Sequence, residues 1–135
     1  MTPEELKKRT KQFALRVIKL YKNLPKGKEA EVIGIQLLRA ATSIGANYRA
    51  ACRARSEADF ISKITIVEEE ADESAYWIEL LIESGLIKKE LLNEILKEAN
   101  ELTAIFTASG HTVKLKRNNS QFKIRNPKLS NVELK

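Results

Sequence analysis

The chain has 135 residues, 31% of them charged and 43% hydrophobic, with a formal net charge of +6. That length suits one domain burying roughly two-thirds of its unfolded surface, so no disulfide or structural metal is needed to hold it. The lone Cys52 excludes an internal disulfide and fits a reducing compartment.

No apolar run approaches the roughly 20 residues of a membrane-spanning helix, and MTPEELKKRT lacks the apolar centre of a secretory signal. A cytoplasmic location and no membrane partner are therefore expected. Charge is unevenly spread along the chain. Residues 1–27 carry eight basic and two acidic groups, residues 28–56 five and two, and residues 57–87 one and nine. Residues 88–109 carry three and four, and residues 110–135 seven and one. Basic excess sits at both chain ends and acid in one central segment, which suits charge pairing as well as an anionic partner.

Thr2-Pro3-Glu4-Glu5 predicts a helix start, with a capping hydroxyl, proline in the first turn and acids at the positive end of the helix dipole. Leu6, Phe13, Val17, Leu20 and Leu24 then recur at helical spacing, with Thr10 filling the gap. Lys8, Lys11, Lys19 and Lys22 lie off that stripe, and Pro25 and Gly27 stop the helix. A second helix is predicted from about Lys28 to Ala54. Ile33, Leu37, Ala40, Ala41, Ile44 and Tyr48 share one face, and Gly34, Leu38, Gly45 and Cys52 form an adjacent strip. Its density of alanine and glycine permits close approach of a neighbouring helix, which marks it as the spine of a bundle.

Ser56 followed by Asp59 opens a third helix. Phe60, Ile64, Val67, Ala71, Ser74, Ile78 and Leu81 keep a 3.5-residue repeat along it, while Ile61, Trp77, Leu80 and Leu86 point elsewhere, and Ser84-Gly85 ends it. A shorter fourth helix is expected from about Lys88 to Ala108, with Leu91, Leu92, Ile95, Ala99, Leu102 and Phe106 inward and Gly110 as its stop. The predicted fold is all-α: an antiparallel up-down-up-down four-helix bundle over residues 1–110. Residues 111–135 form a separate basic extension, read either as a flexible tail or as a β-hairpin built on the alternation around Val113 and Leu115 and again around Phe122 and Ile124.

The order RAATSIGANYRAACRARSEADFISKITIVEEEADESAYWIELL, with Ser43-Ile44-Gly45-Ala46-Asn47 at its centre, resembles the bacterial four-helix-bundle protein family that includes the 23S rRNA intervening-sequence proteins. The resemblance covers roughly residues 6–108. Its motif falls on Arg39, Ala40, Ala41, Ser43, Ile44, Ala46, Asn47, Arg55, Ser56, Phe60 and Glu73. Many members carry proline where this chain has Gly45, and residues 111–135 have no counterpart. The resemblance implies a bundle of four antiparallel helices that assembles into a ring-like homopentamer; it does not imply a catalytic activity. It also implies kinship with accessory proteins of diversity-generating retroelements, which bind nucleic acid through basic surfaces.

Arg49, Arg53 and Arg55 are the first candidate site. Two stand four residues apart and the third precedes a helix start, an arrangement that suits phosphate; the competing role is neutralising the acidic third helix. Lys114, Lys116 and Arg117, with Phe122, Lys123, Arg125 and Lys128 beyond them, read as a nucleic-acid contact arm. The run Glu68 to Glu73 lacks the Glu-x-x-His partners of a di-iron bundle, so no metal is expected; Glu69 and Glu73 are expected to pair with the basic helices. Asn47 reads as a packed polar group, Tyr76 and Trp77 as interface or core, and Cys52 as a small buried residue. No triad spacing and no glycine-rich phosphate loop occur. The expected function is non-enzymatic and without cofactor: a homo-oligomer associating with RNA, or a protein-binding scaffold that touches no nucleic acid.

Overall fold

The computed structural model describes the backbone of residues 1–125 and the side chains of residues 1–119. It contains four helices: α1 (Pro3–Lys22), α2 (Lys28–Cys52), α3 (Glu57–Glu83) and α4 (Lys89–Arg125). They run up-down-up-down. α2 packs between α1 and α3, α3 packs between α2 and α4, and α1 meets α4 along a much thinner seam. The spine is thus shared by α2 and α3.

Local chemistry sets the starts of α1 and α3 and the stop of α3. Thr2 Oγ1 accepts the Glu5 N–H at 3.1 Å while the Glu5 carboxylate accepts the Thr2 N–H at 3.0 Å, a closed capping box. Ser56 caps α3 by accepting the Asp59 N–H at 3.1 Å. Gly85, at φ +78°, takes the left-handed turn after α3, and its N–H closes on the Ile82 carbonyl at 3.0 Å.

The core follows the predicted stripes closely in the first three helices. Leu6, Thr10, Phe13 and Val17 of α1 are buried, and the Thr10 hydroxyl donates to the Leu6 carbonyl at 2.9 Å, which removes the cost of burying it. Ala40, Ala41, Ile44, Tyr48 and Ala51 line the inner face of α2. On α3, Ile64, Val67, Ala71, Ser74, Ile78 and Leu81 are buried in the predicted repeat, while Phe60 is half-buried. A Cβ added at Gly45 would lie 3.3 Å from Thr10 Oγ1, so this glycine marks the close approach of α1 and α2. Asn47 donates from Nδ2 to the Ser43 carbonyl at 2.9 Å, the backbone partner its setting predicts.

α4 departs from expectation. It does not stop at Gly110 but runs 37 residues, about 55 Å, to Arg125. Residues 111–125 are therefore helical, neither hairpin nor tail; residues 126–135, which include Lys128, lie outside the described residues. Gly110 is buried, and a Cβ there would sit 2.8 Å from Ile64 Cγ2. The glycine serves the α3–α4 crossing. Leu91 is also misplaced by the sequence reading: it is 74% exposed, because the stripe Phe106, Leu102, Ala99, Ile95 runs back to Leu92 and leaves its neighbour a helical step off the face.

Arg9 closes the thin α1–α4 seam. Its guanidinium forks onto Glu98 at 2.7 and 2.6 Å and reaches Glu101 at 2.6 Å. These carboxylates, the Glu98 hydrogen bond foremost, raise the pKa of Arg9 above its ordinary value.

Candidate nucleic-acid interface

The up-down path brings the start of α1, the end of α2, the start of α3 and the far half of α4 to one end of the bundle. The loop between α2 and α3 is short and tightly bonded. Arg53 N–H reaches the Ala50 carbonyl at 3.1 Å, Ala54 N–H the Ala51 carbonyl at 3.0 Å, and Phe60 N–H the Ser56 carbonyl at 3.0 Å. Arg53 and Arg55 are thereby held at a fixed turn, both exposed.

Two adjoining grooves open there. One, of about 430 Å³, is lined by Glu4, Lys7, Lys8, Lys11 and Arg49. The other, of about 800 Å³, has Tyr48, Ala51, Phe60 and Val113 among its apolar lining, and Lys7, Arg55 and Lys116 as its cations. Glu4 and Lys7 line both, so the two lie side by side.

The structure thus brings Arg49 beside the α1 lysines and Arg55 beside Lys116. Arg53 caps α2 and lines neither groove; Lys114 is exposed on α4 and Arg117 is half-buried on it, both also outside the groove linings. Phe122, Lys123 and Arg125 belong to the helical backbone of α4, and their side chains lie outside the described ones. Lys7, Lys8 and Lys11 were missed as site residues. The signal was present: they share the charge excess of residues 1–27, Lys8 and Lys11 fall off the buried stripe of α1, and an antiparallel α2 must end where α1 begins.

Among the described residues the competing role for the arginines is not realised within the chain. Within the acidic run of α3, Glu73 and Glu70 are met by Arg39, at 2.7 and 3.6 Å. Among the described residues no ion pair uses Arg49, Arg53, Arg55, Lys114, Lys116 or Arg117. Glu70, rather than the exposed Glu69, joins Glu73 as Arg39's partner, since positions 70 and 73 stand on the α3 flank that Arg39 reaches and 69 is turned off it. Among the described residues no three His, Cys, Asp or Glu side chains form a metal-binding group.

Cys52 corrects another expectation: it is exposed and lines the larger groove, because α2 ends at it and it stands on the open side of that last turn. Below it Tyr48 is buried against Phe106, ring centres 5.2 Å apart. Burial first, and then Cys52, pushes the Tyr48 phenol well above its ordinary pKa. Trp77 packs partly against the core and donates its indole N–H to Glu73 at 3.1 Å, with Tyr76 edge-on to it and half-exposed. Among the described residues no helix is long and apolar enough to cross a membrane.

Comparison with known proteins places the fold. A crystal structure of a protein with unknown function from the S23 ribosomal protein family of Bacteroides thetaiotaomicron is similar, at TM-score 0.75 and 38% identity, covering 82% of this chain and 99% of that one. No curated protein matches. Residues 4–108, from the first turn of α1 to just short of Gly110, match the sequence pattern of the 23S rRNA-intervening sequence protein family, and the chain belongs to that family.

Proposed function

We propose that this protein is a non-enzymatic, self-associating helical bundle that holds RNA along its basic end. The observation that supports it is the absence of intrachain carboxylate partners for Arg49, Arg53 and Arg55 among the described residues, while Glu70 and Glu73 of the acidic run are met by Arg39 instead. Unpaired cations gathered at one end of the bundle bind a polyanion through release of its counterions. Three phosphates neutralised on single-stranded RNA give a slope of about −2 in log affinity against log salt.

Self-association is supported by side chains on the outside of the bundle. Val32 and Ile35 of α2 and Ile66 and Tyr76 of α3 are exposed, and the Arg39–Glu73 pair sets a register in which Ile35 stands level with Trp77. The resemblance to four-helix-bundle proteins makes five copies the expected assembly. The same exposed residues favour the second reading, a scaffold for another protein.

The tests separate these. Fluorescence titration with a structured RNA at two salt concentrations is expected to give tight binding at low salt that weakens steeply at high salt. Absent or salt-insensitive binding rejects the RNA reading. Sedimentation is expected to give an oligomer at micromolar concentration, and a monomer rejects self-association. Capture of a protein partner that survives nuclease would favour the scaffold.

A further inference from the structure

We propose that the larger groove takes a single unstacked nucleobase, so that the protein selects single-stranded or looped RNA over duplex. This rests on the RNA reading above and divides the labour between the two grooves.

The smaller groove is a phosphate track. Lys8, Lys11 and Arg49 line it, and none of them has an ion-pair partner among the described residues. The larger groove is different in kind. Its three cations, Lys7, Arg55 and Lys116, are set against Glu4 and Glu57, and Lys7 is already paired with Glu4 at 3.2 Å. Nearly balanced charge makes it a poor seat for successive phosphates. Its open apolar surface is the half-buried ring of Phe60 with Val113, over a floor of the buried Tyr48 and Ala51, and the Phe60 ring can accept the flat apolar face of a base. A volume of about 800 Å³ falls within the range of small-ligand sites, roughly 300–1,000 Å³. Since Glu4 and Lys7 line both grooves, a strand whose backbone follows Lys8, Lys11 and Arg49 passes directly beside the aromatic one.

The continuation of α4 contributes to this groove. Val113 and Lys116 come from beyond Gly110 and outside residues 4–108, the part that matches the family. A duplex keeps its bases stacked and paired, and its A-form grooves turn their faces away from such a pocket; a single strand or loop splays them out.

The sole cysteine gives a readout in the unmodified protein, because Cys52 is exposed and lines the groove. A 12-nucleotide oligouridine and a 12-base-pair RNA duplex are titrated at matched salt, and the reaction of Cys52 with a disulfide reagent is timed with each at saturation. The oligouridine is expected to bind roughly ten-fold tighter or more and to slow the thiol reaction about ten-fold, with the duplex leaving it unchanged. Phe60→Leu, which keeps the packing volume, is expected to abolish the preference while the salt slope stays. Equal, salt-dependent binding of strand and duplex overturns the base site and leaves the RNA reading standing. So does a saturated strand that leaves Cys52 at its free rate, or an intact preference in Phe60→Leu. Failure of both RNAs to bind at low salt overturns the two together.

Discussion

Arg39 of α2 and Glu73 of α3 form a 2.7 Å hydrogen-bonded ion pair, and the same Glu73 oxygen accepts the Trp77 indole N–H at 3.1 Å. One carboxylate thus ties two helices and orients the single tryptophan. Arg39 is half-exposed whereas Glu73 is two-thirds covered, so the two ends of the pair are unequal. Glu73→Ala leaves the indole without its acceptor, at about 1 kcal/mol, and also frees Arg39. Arg39→Met leaves the indole bond intact. Glu73→Ala is expected to lower the melting temperature more than Arg39→Met and to change tryptophan emission, with Glu73→Gln between them. Equal losses, or unchanged emission in Glu73→Ala, would refute this arrangement.

Arg9 carries a different burden. α1 touches α4 along the thinnest seam in the bundle, and Arg9 spans it with a two-pronged bond to Glu98 and a third contact to Glu101. Arg9 and Glu98 are mostly covered, at 24% and 15% exposure, so water screens the pair less than at an open surface. Arg9→Met is expected to cost about 1–2 kcal/mol in urea denaturation, and Arg9→Lys to recover less than half, since an ammonium cannot present the planar fork. In an Glu98→Gln background the Arg9→Met cost is expected to shrink. Additive losses from the two substitutions would show that the fork does not act as a unit.

Much of this architecture was legible because helix periodicity and capping are local. Thr2 with Glu5 and Ser56 with Asp59 announce helix starts within four residues, and the α3 repeat from Ile64 to Leu81 states its inner face outright. Gly110 failed the same local logic. A glycine near the end of an apolar stripe reads as a stop, yet Leu102, Phe106, Gly110 and Val113 continue at steps of four, four and three. What decides between stop and crossing is Ile64, 46 positions earlier, and that neighbour is visible only once α3 and α4 are packed. The arginine site was half legible for a related reason. Spacing put Arg49 and Arg53 on one face, but whether a carboxylate already held them depended on the packed register: with Arg39 paired to Glu73, Arg49 stands level with Lys63, well away from Glu70 and Glu73. The α1 lysines needed only the topology.

Gly110 offers a test with a sign reversal. Alanine is about 1 kcal/mol better than glycine inside a helix, but its Cβ here would meet Ile64 Cγ2 at 2.8 Å. That carbon is on a stiff, β-branched side chain that is almost fully buried. Gly110→Ala is therefore expected to destabilise the native protein by about 1 kcal/mol. In an Ile64→Ala background, where the obstructing carbon is gone, the same change is expected to stabilise by up to about 1 kcal/mol. Stabilisation in both backgrounds would mean that α3 and α4 do not cross at Gly110.

Tyr48 gives the bundle a pH limit of its own. Its phenol is held above the ordinary value of 10.0, first by burial and then by Cys52. Below pH 10 the phenol is neutral whether the chain is folded or not, and its contribution is fully present. As pH rises past 10, the unfolded chain gives up this proton while the folded chain keeps it. The unfolded state then binds fewer protons, and stability falls by up to about 1.4 kcal/mol per pH unit until the folded phenol also ionises. Tyr48→Phe removes this dependence and keeps the ring against Phe106. Urea denaturation at pH 9 and pH 11 is therefore expected to show the wild type losing more stability than Tyr48→Phe, the difference approaching 1 kcal/mol. Equal losses in the two proteins would mean that the phenol is in free contact with water, and that the wall between the larger groove and the core is open at Tyr48.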